Sequence, residues 1–179
     1  MSTETLKIGS QAPKFNLPAT DGKTYSLENF AHKKGLVVIF SCNHCPYVQA
    51  YEERIIQIQN DYAENVQVVA ISSNEDLNYP EDSFEKMKER AMLRGFNFPY
   101  LHDETQSVAR AYGATHTPEI FLFDSERKLV FHGKIDDNWQ EPQRVKSKYL
   151  RNAIDELLSG KQISVPETFT IGCTIKWKR

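Results

Sequence analysis

Leu36-Val37-Val38-Ile39-Phe40-Ser41-Cys42-Asn43-His44-Cys45-Pro46-Tyr47-Val48 is the stretch on which the reading of this chain turns. Its first five residues form a continuous apolar, β-branched run of strand length, as expected for a strand buried on both faces. Beyond Pro46, the apolar positions Val48, Tyr51, Ile55, Ile58 and Tyr62 recur at steps of three and four, the period of one helix face. Between strand and helix lie two of the three cysteines, spaced C-x-x-C. Cys45 followed by Pro46 reads as a helix N-cap with proline at the first helical position, where the missing N–H costs nothing. A sulfur there faces unpaired backbone N–H groups and the positive end of the helix dipole. Such settings lower a cysteine pKa from ~8.5 to roughly 3.5–7.5. Cys45 is therefore the expected nucleophile, and Cys42 is near enough in sequence to resolve a mixed disulfide on it. His44, beside both, reads either as a proton carrier or as an exposed loop histidine.

Working outward, Val66 to Ile71 is a second buried strand, so strand, helix and strand make a right-handed parallel crossover. Upstream, Phe15-Asn16-Leu17 and Thr24-Tyr25-Ser26 flank Asp21-Gly22 and predict a hairpin. Downstream, Asp82 with Glu85 predicts the start of a helix carrying Phe84, Met87 and Ala91 and capped by Gly95. Asp103 with Gln106 opens a shorter one that stops at Gly113. Thr117-Pro118 then precedes the apolar run Ile120 to Phe123, whose antiparallel partner is Leu129-Val130-Phe131. Asp136, Asp137 and Trp139 lie in a polar excursion that reads as a solvated loop. A last helix carries Val145, Tyr149, Ala153, Ile154, Leu157 and Leu158 and ends at Gly160. In the tail, Phe169, Ile171, Cys173, Ile175 and Trp177 alternate with polar residues or glycine, the period of a strand.

The chain has 179 residues, 26% charged and with a formal net charge of −2, so it is neither disordered nor basic. That balance gives no reason to expect a nucleic-acid or membrane-surface partner. Met1 to Lys7 lacks the apolar centre of a signal peptide, and the expected location is the cytoplasm. A reducing compartment favours redox-cycling or metal-binding cysteines over structural disulfides. Half of a zinc site is the other reading of C-x-x-C. Cys173 and one of His44, His116 or His132 would have to complete it, without a second C-x-x-C or an H-x-x-x-H. The expectation is no metal and no cofactor.

The order of elements, the opening Gly9-Ser10-Gln11-Ala12-Pro13-Lys14-Phe15-Asn16-Leu17, the Cys-Pro junction, Thr117-Pro118 and Asp124 closing the strand together resemble the thioredoxin-like superfamily. Within it the chain is similar to the redoxin branch of AhpC/TSA peroxiredoxin-like proteins and TlpA/ResA-like thiol-disulfide oxidoreductases. The resemblance runs from about Ile8 to Leu158. It implies an α/β thioredoxin fold, a central mixed sheet flanked by helices, with an N-terminal β-hairpin and a C-terminal extension. Residues 1–160 would be the redoxin domain, with 161–179 packed on it. It further implies that Cys45 is the attacking cysteine, and that Pro118 is a cis-proline turning Thr117 toward the sulfurs to position substrate.

Three departures matter. The resolving cysteine of thioredoxin-like reductases would fall at Val48, and here the second thiol is Cys42. The Thr or Ser and the arginine that position peroxide in peroxiredoxins are replaced by Cys42 and Pro118, which counts against an antioxidant peroxidase. The buried acid of thioredoxins would fall at Ile39, so His44 and Glu52 are the candidates for proton transfer. The expected activity is thiol-disulfide exchange by Cys45 and Cys42, with protein or small-molecule disulfides and a thioredoxin- or glutathione-type reductant as partners. Two alternatives stand: a peroxidase with Cys45 peroxidatic and Cys42 or Cys173 resolving, and a metal-binding or redox-sensing module. Cys173 reads equally as a small buried apolar residue or as a thiol that the tail brings back to the site.

Overall fold

The computed structural model describes residues 4–179, so the N-terminal expectation rests partly on residues outside the described ones. The apolar run is strand β3 (Gly35–Ser41), buried along its whole length. It lies third in a five-stranded sheet of order β5-β4-β3-β7-β8, with β4 Val66–Ser72, β5 Tyr100–His102, β7 Glu119–Phe123 and β8 Leu129–Gly133. β4 and β5 run parallel to their neighbours, while β7 pairs antiparallel with both β3 and β8. The hairpin β1 (Asn16–Pro18) and β2 (Thr24–Ser26) forms around Asp21-Gly22 as the sequence predicts.

A strand covered on both faces sends alternate residues into two cores. Leu36, Val38 and Phe40 join Phe15, Phe30, Tyr112 and Phe121 on one side. Val37 and Ile39 pack on the other against helix α1 (Pro46–Tyr62) through Tyr51, Ile55 and Ile58. There they also meet Met87 of α2 (Phe84–Arg94) and Leu150, Ala153 and Ile154 of α4 (Tyr149–Leu158). Each such fully buried aliphatic side chain contributes roughly 1.5–3 kcal/mol, so β3 is firmly fixed between the two cores. Its C-terminal end is where the thiol segment begins. Among the described residues no helix is long and apolar enough to cross a membrane.

Three expectations need correction, and one strand is unexpected. β5 has no sequence signal of its own, because three residues suffice when β4 supplies the pairing. Helix α2 is capped by Ser83, whose Oγ accepts from Lys86 N, and not by Asp82, whose carboxylate is used elsewhere. Asp136 is not solvated: it is buried, accepts from both Tyr51 Oη and Arg54 Nη1 at 2.8 Å, and so ties the loop to α1. The tail is strand only at β9 (Cys173–Thr174), because its partner β6 (His116–Thr117) ends at a proline that has no N–H to donate. Phe169 lies outside that pairing and is exposed.

Candidate active site

β3 ends at Ser41, and Cys45 is the N-cap of α1 with Pro46 at the first helical position. The junction between them is held on every side through Asn43. Its backbone N–H donates to Asp82 Oδ1 (2.8 Å) and its side-chain amide to the Glu81 carbonyl (2.9 Å). Its side-chain oxygen accepts from Tyr100 Oη and its carbonyl from Gln49 Nε2, both at 2.8 Å. Asp82 is fully buried and also accepts from Asn74 Nδ2 (2.9 Å), while His44 Nδ1 contacts its second oxygen. A carboxylate so surrounded fixes the loop. Sequence reading missed Asn43 and Asp82 because each looked like an ordinary loop or cap residue.

The antiparallel register places Phe40 opposite Glu119, so the next step along β3 brings the thiol segment beside Thr117-Pro118. That peptide bond is cis, in agreement with the family resemblance. The two sulfurs meet there on one residue: Cys45 Sγ lies 3.4 Å from the Thr117 carbonyl oxygen, and Cys42 Sγ 3.5 Å from Thr117 Oγ1. Buried Glu119 anchors this loop, accepting from Thr115 N (2.9 Å) and His116 N (3.1 Å) and pairing with His132 Nε2 (2.7 Å). All three cysteines are free thiols.

The tail completes the cluster. β9 pairs antiparallel with β6, setting Cys173 opposite Thr117 and the cysteine side chain against Cys42, Cys45 and Val48. Ile175 N donates to the Thr115 carbonyl (2.9 Å), and Lys176 is gripped by Asn74, Glu75 and Gln106. Gly172 passes so close to the Thr117 carbonyl that a β-carbon would stand 2.0 Å from its oxygen. Only glycine fits that approach.

The environment divides the three thiols. The Cys42 thiol is the main cause lowering the Cys45 pKa to about 4, against the opposing effect of burial, with help from the Cys173 side chain and the Val48 and Cys173 amides. The Val48 amide faces the sulfur at the helix start without closing a full capping hydrogen bond in the thiol form. Cys42 is pushed far up by donating to Cys45, by burial and by the nearby Asp82 charge. Burial and the Cys45 charge raise Cys173 to about 11.

The remaining candidates separate. His44 is at the site, stacked on Tyr79 and tied to Asp82. Glu52 is not joined to any thiol among the described residues: Arg90 holds both of its oxygens (2.5 and 2.7 Å), which makes it an anchor between α1 and α2. Cys42, His44 and Asp82 each offer a ligand atom, all within 4.8 Å of one another.

A mixed sheet of this order, with a cysteine at a helix start facing a cis-proline loop, defines the thioredoxin fold. A thioredoxin domain of a thiol-disulfide oxidoreductase from Bacteroides vulgatus superimposes with a TM-score of 0.62 at 20% identity, over 72% of this chain and 89% of that one. The Redoxin family profile matches residues 7–149, and the chain belongs to that family. It is 29% identical over 130 residues to the thiol-disulfide oxidoreductase ResA of Bacillus subtilis, covering 71% of this chain and 67% of that one. It also resembles an uncharacterized conserved protein from Geobacillus kaustophilus along almost its whole length. There the identity is 40% and the TM-score 0.91, with 99% and 96% of the two chains covered.

Proposed function

We propose that this chain is a thiol-disulfide oxidoreductase in which Cys45 is the nucleophile and Cys42 the resolving thiol. Kinship with the Redoxin family and likeness to ResA support the activity in general. The observation that carries the finer assignment is the convergence of both sulfurs on Thr117, at 3.4 and 3.5 Å. A thiolate on Cys45 attacks one sulfur of a disulfide and expels the other as thiolate. Cys42 then attacks the Cys45 sulfur, breaking the mixed disulfide and expelling the second substrate thiolate, and the Cys42 proton leaves as it does so. Asp82 and His44 stand within 4.8 Å of the Cys42 sulfur and are the groups placed to handle the proton, Glu52 being committed to Arg90. Thr117 and Pro118 position the reacting sulfurs. In this reading residues 1–160 form the redoxin domain and 161–179 an extension packed on it. The setting is the cytoplasm, with protein or small-molecule disulfides and a thioredoxin- or glutathione-type reductant as partners.

Treatment of the reduced protein with glutathione disulfide tests the assignment. Two thiols released per chain and a Cys42–Cys45 disulfide in the peptide map are the expected result. If Cys45→Ser releases the second thiol at the wild-type rate, the assignment is wrong.

The cluster of Cys42, His44 and Asp82 favours a second reading, capture of a zinc or copper ion. Titration of the reduced protein with zinc separates the two. Stoichiometric binding that blocks thiol exchange would favour the metal reading; exchange unaffected by zinc favours the redox one.

A further inference from the structure

The two thiols of the proposed pair are the least accessible of the three. Cys45 is 0% and Cys42 1% exposed, whereas Cys173 is only partly buried. The cover is the tail itself. β9 occupies the free edge of β6 at Thr117, Gly172 lies against the Thr117 carbonyl, and Ile175, 3% exposed, plugs the tail into the core. Asn74, Glu75 and Gln106 hold the chain just beyond it. An incoming disulfide therefore finds the edge beside Cys45 taken by a strand of the same chain, and that strand carries a cysteine opposite Thr117.

From this juxtaposition we infer that Cys173 is the thiol at which external disulfides and thiols exchange with the buried Cys42–Cys45 pair, the tail serving as a built-in substrate strand. The inference rests on the reading of Cys45 as nucleophile. In the oxidising direction, the Cys173 thiol attacks a small disulfide RSSR, forming Cys173–S–S–R; its proton leaves with the first RSH. The Cys45 thiolate then attacks the Cys173 sulfur, forming Cys45–Cys173 and expelling RS⁻. Cys42 attacks the Cys45 sulfur, giving the Cys42–Cys45 disulfide, and its proton returns to Cys173. One disulfide is reduced by two electrons and one dithiol is oxidised. In reverse, an external thiolate attacks Cys45–Cys173 at the partly buried Cys173 sulfur, the more accessible of the two, and expels Cys45. Attack falls on Cys173 rather than on Cys45 because Cys45, the thiol of lower pKa, is the better leaving group.

The test uses the reduced full-length chain and glutathione disulfide. Cys173→Ser is expected to exchange at least tenfold more slowly than wild type, while a small oxidant such as diamide still forms its Cys42–Cys45 bond. In Cys42→Ser the expected product is a Cys45–Cys173 disulfide. A glutathione adduct on Cys45 with Cys173 free, or a Cys173→Ser rate within threefold of wild type, overturns the inference and leaves the pair assignment standing. Loss of exchange could also come from a disturbed tail, so a second variant is needed. Gly172→Ala forces the tail off Thr117, and Gly172→Ala combined with Cys173→Ser is expected to exchange faster than Cys173→Ser alone, because Cys45 is uncovered. No such recovery contradicts the relay. Release of the second thiol that survives Cys45→Ser at the wild-type rate would instead remove the underlying reading, whereas a variant that stops at a glutathione adduct on Cys173 keeps it.

Discussion

The strand-to-helix junction and the C-terminal tail both bring cysteine to Thr117, and they are held there by different physics. At the junction the elements are set locally, since a buried strand ends, proline starts a helix and Cys45 stands at its N-cap, and Asp82 and Tyr100 then pin the loop between them through Asn43. In the tail the causes are distant: a short strand pairs with β6, and its continuation is gripped by Asn74, Glu75 and Gln106, about seventy to a hundred residues away in sequence. The helix-start position of Cys45 thus comes from its immediate sequence, while the tail that covers it is placed by tertiary contacts alone. One can be altered without the other.

The largest expected effect lies at the junction. Cys45→Ser should slow release of the second thiol from glutathione disulfide by about a thousandfold, since the pKa values of both other cysteines are raised; a loss under tenfold would erase the distinction between the regions. The next lies in the tail anchor. Ile175→Ala removes a buried side chain and should cost ~2–5 kcal/mol in denaturant unfolding. A cost near zero would mean the tail is only draped over the site.

Smaller effects separate the thiols by pH. Above pH 6 a reaction begun by Cys45, with its pKa of about 4, would be independent of pH. Entry through Cys173 should instead quicken as pH rises toward about 11, its sulfur being faced by the Cys45 and Asp82 charges and by Lys176. Stopped-flow rates with glutathione disulfide between pH 6.5 and 9.5 check the slope. Within the junction, Asp82→Ala leaves the Asn43 N–H and Asn74 amide without their acceptor and should cost ~1–3 kcal/mol of stability. An equal loss of stability from Glu81→Ala, which leaves the carbonyl bonded to Asn43 in place, would argue against that accounting.

What the sequence discloses follows the same division. β3, α1 and the cap at Cys45 are legible because apolar periodicity and proline placement act over a few residues. Asp82 misleads because an acidic residue three before Glu85 has the pattern of a helix cap, and nothing nearby reveals that Asn43 and His44 need its carboxylate. Asp136 misleads likewise: its partners Tyr51 and Arg54 share one face of α1, a spacing visible in the sequence, but only the fold brings that face to the loop. The tail's alternation is readable as a strand. Its short length is not, because β6 ends at Pro118 on a separate part of the chain.

Thiolate absorbance near 240 nm, followed from pH 3 to pH 8 in wild type and in Cys45→Ala, tests the assignment of the nucleophile most directly. The account predicts that one thiolate appears in wild type with a midpoint near 4 and is absent from Cys45→Ala. Its persistence in Cys45→Ala, or no thiolate in wild type below pH 7, would contradict it.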